Sequence, residues 1–102
     1  MAEETLFSLI PNARFSPGRI LMTIGINELV QQGRFNPGSY LHRHLSGDWG
    51  DVGLGGQRRN DAALISGEDR LFSCYQGDSD LTFWIITEWD RSVTTLLLPN
   101  EY

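Results

Sequence analysis

Three runs of β-branched and aromatic residues dominate the second half of the chain, at positions 71–76, 81–87 and 93–98. Such runs fit a pleated, half-buried surface, and the short polar links between them predict three consecutive strands. Gly77-Asp78-Ser79-Asp80 has turn chemistry, and Glu88-Trp89-Asp90-Arg91 is the charged connection of an antiparallel hairpin. Along the middle strand Phe83 and Ile85 alternate with Trp84 and Ile86, so both of its faces are apolar.

The first half reads differently. Arg19-Ile20-Leu21-Met22-Thr23 follows Pro17-Gly18 and predicts a short strand. Thr23 stands where it can cap a helix over 24–32, with Ile26, Leu29 and Val30 on one face and Gly33 as its stop. A second helix is predicted from Asn36 as N-cap, Pro37 as first helical residue and Gly47 just past the end. Its apolar face carries Tyr40, Leu41, His44 and Leu45, whereas His42 and Arg43 point away. The glycine-rich stretch 47–56 predicts a loop holding Trp49, packed back on the core or forming a contact surface, and 57–66 a third, weakly apolar helix stopped by Gly67.

Residues 1–18 then form an N-terminal arm and 19–102 a single α+β domain. Its expected architecture is an antiparallel three- to four-stranded sheet with about three short helices packed on one face. One helical layer cannot cover Phe83, Ile85, Trp84 and Ile86 together, which predicts a homodimer or a tightly docked arm.

Composition narrows the partners. The 102 residues carry thirteen acids against eight bases, a net charge of -5 that disfavours nucleic acid and anionic membranes. Every base is arginine, a residue suited to bidentate pairing with carboxylates. The single Cys74 excludes an intramolecular disulfide, the acidic start Met1-Ala2-Glu3-Glu4 is unlike a signal peptide, and no apolar run approaches membrane-spanning length. A cytoplasmic location is expected.

No stretch has the spacing of a catalytic or metal motif. His42 and His44 project about 200° apart on a helix and cannot share a metal. His44 reads as a core histidine bonded to a loop carboxylate such as Asp48 or Asp51. A rival reading gathers Asp48, Asp51, Glu88 and Asp90 into a metal- or ligand-binding enzyme site with His44 as base and Arg91 as anion clamp. The favoured reading has Asp48 and Asp51 capping turns and Glu88 and Asp90 pairing with arginines, with no catalytic residue, metal or cofactor. The glycines at 47–56 are followed by no lysine and do not form a phosphate loop.

The pieces Ser46-Gly47-Asp48-Trp49-Gly50-Asp51, Arg70-Leu71-Phe72-Ser73 and Trp84-Ile85-Ile86-Thr87-Glu88 are joined by Asp90-Arg91-Ser92-Val93-Thr94-Thr95-Leu96-Leu97-Leu98-Pro99 and Glu101-Tyr102. Together they resemble a family of short bacterial proteins borne on plasmids, integrated elements and prophages, over residues 18–102. The chain departs from that family at Trp89, where a small residue is usual, and at 52–56, where glycines replace an acidic segment. The family brings no established activity. Carrying its matching positions over puts Asp48, Trp49, Asp51, Asn60, Trp84, Glu88, Asp90 and Arg91 first in line for a binding site, and Trp89 lies among them. The resemblance implies a small acidic mobile-element accessory that acts by binding a protein, with a restriction or CRISPR component of host defence as the expected target class.

Overall fold

Short connections fix how the strands pair. In the computed structural model, which describes residues 13–102, the strands are β1 (Arg19–Met22), β2 (Leu71–Gln76), β3 (Thr82–Thr87) and β4 (Val93–Leu97). They form one sheet in the order β1-β4-β3-β2. The meander β2-β3-β4 is antiparallel, with Leu71 opposite Thr87 and Ile85 opposite Leu96. β1 runs parallel to β4, with Ile20 beside Thr94, so the sheet is mixed where the sequence predicts an antiparallel one. The connection between β1 and β4 contains all three helices and two strands, ample length for the crossover that a parallel pair needs.

The helices are α1 (Ile24–Gln31), α2 (Gly38–Leu45) and α3 (Leu54–Ser66). Thr23 occupies the N-cap position of α1 but makes no side-chain cap. Glu101 does that work from the far end of the chain: its carboxylate accepts the Thr23 hydroxyl and, at 2.8 Å, the Gly25 N–H. A negative charge there meets the positive end of the helix. The Thr23 hydroxyl, helped by the Leu98 N–H, holds the Glu101 carboxyl below its usual range. Asn36 acts one residue earlier than expected, accepting the Gly38 N–H at 3.0 Å while Pro37 is the N-cap.

α3 begins at Leu54, which makes Gly55 and Gly56 helical where the sequence predicts loop. Two bonds fasten this first turn, Gln57 N–H to Gly53 O and the Gln57 side-chain amide to Val52 O, both at 2.9 Å. They offset the roughly 1 kcal/mol each interior glycine costs a helix. Gly67 ends α3 with φ 70°, as its position predicts.

Strand alternation sorts the sheet into two faces. Phe83, Ile85, Tyr75 and Leu96 meet Ile26 of α1 and Leu41 of α2 in one core cluster. Leu71 meets Leu45, Trp49, Ala63 and Phe15 in a second. Residues 13–18, which the sequence assigns to the arm, join this packing through Phe15 and through the Arg14 N–H donated to Leu45 O. Residues 1–12, the rest of the expected arm, lie outside the described residues.

The opposite face carries Phe72, Trp84, Ile86 and Leu97. Trp84 packs edge-to-face on Phe72 and on Tyr102. Ile86 is 4% exposed and Leu97 5% within one chain. Ile86 and Leu97 are thus covered within one chain, whereas Phe72 and Trp84 stay half-buried on this face. Among the described residues no helix is long and apolar enough to cross a membrane.

Candidate functional site

The C-terminal motif is mostly consumed in building the β3–β4 turn. Arg91 sits at φ 61°, a left-handed conformation that is unusual outside glycine. Its Nη1 donates to the carbonyls of Asp69 (2.7 Å), Trp89 (3.0 Å) and Glu88 (3.2 Å), and its Nη2 to Ala63 O at 3.0 Å near the end of α3. Burial lowers the Arg91 pKa, although Asp69 and Asp90 pull the other way. With both Nη nitrogens bonded to backbone carbonyls, Arg91 works as a staple between the hairpin and α3, which accounts for its charge without an anion. The Asp90 carboxylate accepts the Ser92 hydroxyl and N–H, which hold its carboxyl below the usual range. Arg91→Met is expected to cost about 2 kcal/mol, because each of those carbonyls loses a charged donor. Urea unfolding of the variant beside the parent measures it.

The 48–51 loop is spent on the edge of the sheet. The Asp48 carboxylate accepts Arg43 Nε at 2.7 Å and Nη2 at 3.3 Å, the only ion pair among the described residues. This bond raises the Arg43 pKa and lowers that of Asp48. The Arg43 guanidinium also lies 4.6 Å from the Tyr75 ring centre, and the Tyr75 hydroxyl, whose pKa burial raises, donates to Asp48 O. Trp49 is 4% exposed and donates its indole N–H to Asp61 on α3. Cys74 N–H binds Trp49 O at 3.1 Å and Asp51 N–H binds Cys74 O at 2.7 Å. One residue pair along β2, the buried Asn60 side chain does the same, with Nδ2 donating to Phe72 O and Oδ1 accepting Phe72 N–H. Together they occupy the outer edge of β2, which would otherwise invite pairing with another strand.

His44 is fully buried, as a core histidine should be, but no carboxylate binds it. Its Nδ1 lies 2.6 Å from Ser73 Oγ and its Nε2 2.9 Å from Thr87 Oγ1. Thr87 Oγ1 meets Thr94 Oγ1 at 2.7 Å, and the Thr94 hydroxyl donates to Pro17 O. Each hydroxyl has one proton, so the direction of the chain follows. Thr94 has given its proton to Pro17, Thr87 must give its own to Thr94, and the His44 Nε2–H must therefore supply Thr87. Nδ1 is left as the acceptor of the Ser73 proton. Burial lowers the His44 pKa to about 3, and the neutral ring completes the network. It is out of reach of a substrate and cannot serve as the base of an enzyme site.

The four carboxylates of the rival reading do not gather. Asp51 docks beside Cys74, while Glu88 follows Thr87, the partner of Leu71. Cys74 and Leu71 are three residues apart on β2, a separation of about 10 Å. Among the described residues no three His, Cys, Asp or Glu side chains are placed to hold a metal ion.

What these segments do share is a border. Between α3 and the start of β2 lies a cleft of about 550 Å³, lined by Val52, Gly56, Arg59, Asn60, Asp69, Arg70 and Phe72. The 48–51 loop leads into it at Val52, and the hairpin turn adjoins it because one Arg91 nitrogen binds both Trp89 O and Asp69 O. Trp89 stands at this turn 61% exposed. From the other rim Arg70 donates to the Tyr102 hydroxyl at 2.7 Å, which connects the cleft to Trp84 through the Tyr102 ring. Of the residues singled out from sequence, Asn60 lines the cleft and Trp89 and Arg91 adjoin it. Asp48 and Trp49 are committed to the fold, Asp51 and Glu88 stay exposed, and Trp84 lies on the second face. Arg59 and Arg70 are the functional candidates sequence reading missed, since neither belongs to a charged motif. No protein-family model, no curated protein and no solved structure matches the chain.

Proposed function

We propose that this protein is a small protein-binding module, of the mobile-element accessory kind its motif resembles, and that it docks through the edge formed by the β3–β4 turn and the α3–β2 cleft. The observation that carries this reading is Trp89, 61% exposed on a turn whose backbone is immobilised by Arg91. A large aromatic side chain on a rigid turn beside a concave site is the composition of an interface anchor, because it offers much contact area at little cost in lost freedom. Among the described residues Trp49 and Trp84 pack against other rings, whereas Trp89 stacks on none and projects from the turn. A restriction or CRISPR component is the first class of target to test.

Retention of a partner from cells that naturally express the chain tests the reading. Trp89→Ser is expected to weaken binding about thirtyfold, the effect of losing an interface anchor worth roughly 2 kcal/mol, with thermal stability within about 0.5 kcal/mol of the parent. Undiminished retention by this variant would sink the proposal.

A further inference from the structure

The α3–β2 cleft carries the wrong charge for the protein that contains it. The chain is acidic, with a net charge of -5, yet the cleft presents two guanidinium groups, Arg59 and Arg70, and one carboxylate, Asp69. Arg43–Asp48 is the only ion pair among the described residues, so neither cleft arginine is neutralised by a carboxylate there. Asp69 is turned to local work, accepting the Arg70 N–H at 2.8 Å. Phe72 and Val52 supply apolar wall, and Asn60 is held in place by its two bonds to the Phe72 backbone.

We infer that this cleft is a binding site for the side-chain carboxylates of an acidic peptide segment, presented by the protein partner; the inference rests on the docking reading above and names the chemistry of what docks. Arginine forks match a carboxylate with two parallel hydrogen bonds. Two guanidinium groups against one carboxylate in the lining, with Glu68 bordering Arg59 on the α3 side, suit a monoanionic carboxylate better than a dianionic phosphate. The apolar wall suits the methylene stem of a glutamate, and a cleft of about 550 Å³ has room for more than one such side chain. A partner with an acidic segment is otherwise repelled by this chain, so the cleft also restricts which surface it can approach.

The probe is an N-acetylated, C-amidated hexaglutamate peptide, titrated at low salt into the isotopically labelled full chain and followed by amide NMR. Inorganic phosphate and a hexaserine peptide are titrated alongside. The expected result is saturable shifts at Arg59, Asn60, Arg70 and Phe72, absent with hexaserine. Arg59→Gln and Arg70→Gln should each weaken the peptide about fivefold, as expected for a partly solvated charged bond. Arg59 is exposed on a helix, so its variant keeps the fold even if Arg70→Gln loosens Tyr102. Shifts spread over arginines outside the cleft, an unchanged affinity in Arg59→Gln, or phosphate binding the same amides more tightly than the peptide would each overturn the inference. The two readings fail separately: if Trp89→Ser abolishes partner retention while Arg59→Gln leaves both peptide and partner untouched, the docking edge stands and the carboxylate site does not.

Discussion

Acidification from about pH 6 to about pH 4.5 is expected to lower the unfolding free energy by about 2 kcal/mol, and His44→Gln is expected to remove most of that slope. In the folded chain His44 stays neutral down to about 3, against an ordinary value of 6.5, because burial penalises the charged ring. The unfolded chain therefore binds a proton below 6.5 that the folded chain refuses. The stability this represents is fully present above 6.5 and is lost progressively as the pH falls toward 3, at about 1.4 kcal/mol per unit. Asp48, Asp90 and Glu101 also have depressed values, but as carboxylates their contributions persist to lower pH and fade as the pH falls through their folded values. The interval above about pH 4.5 thus isolates the histidine. At neutral pH His44→Gln should itself cost about 2 to 3 kcal/mol, since one amide cannot satisfy both Ser73 and Thr87 as the ring does. Urea unfolding of both proteins across this range measures both effects, and parallel slopes would refute the buried neutral histidine.

Gly50→Ala is expected to cost about 3 kcal/mol or more, among the largest losses from any single added methyl group in the chain. Gly50 has φ 73°, and a Cβ built on it would lie 2.1 Å from Cys74 O and 2.7 Å from the Tyr75 ring. The carbonyl is backbone of β2, whose ladder to β3 holds it in place, so the loop must lift. Lifting it breaks the bonds from Cys74 N–H to Trp49 O and from Asp51 N–H to Cys74 O, and it draws Trp49 out of the second core cluster. Beyond the drop in stability, amide exchange at Cys74 should accelerate while that at Ile85, in the middle of the sheet, follows only global unfolding. An alanine variant with parental stability and a protected Cys74 amide would contradict the tight packing of this loop.

The meander was legible because period-two alternation and turn chemistry are local signals, and residues 71–98 contain both. The direction of β1 was not: four residues fix no orientation, and its parallel pairing with β4 depends on where the helices return the chain. The start of α3 was hidden for a similar reason. Glycines 55 and 56 favour loop locally, and only the bonds from Gln57 to Gly53 and Val52 reverse that preference. Glu101 caps a helix 76 residues away, a relation without a sequence signature. The candidate site divides along the same line. Trp89 could be flagged as an aromatic residue in a charged turn. The sign of the neighbouring cleft could not, because Arg59 and Arg70 stand apart in sequence and line one cleft only once Asn60 has fastened α3 to Phe72. The acids that looked like a cluster are held apart by the length of that strand.

Photo-crosslinking in cells that naturally express the protein tests the docking edge most directly, with a benzophenone side chain placed singly at Glu88 or Glu68 beside the cleft, or at Gln32 or Arg34 near the other end of the sheet. The proposed docking edge predicts a discrete adduct with a second protein from positions 88 and 68 and none from 32 and 34. Adducts from 32 and 34 alone, equal labelling from all four positions, or a product of twice the chain's own mass from position 88 would contradict it.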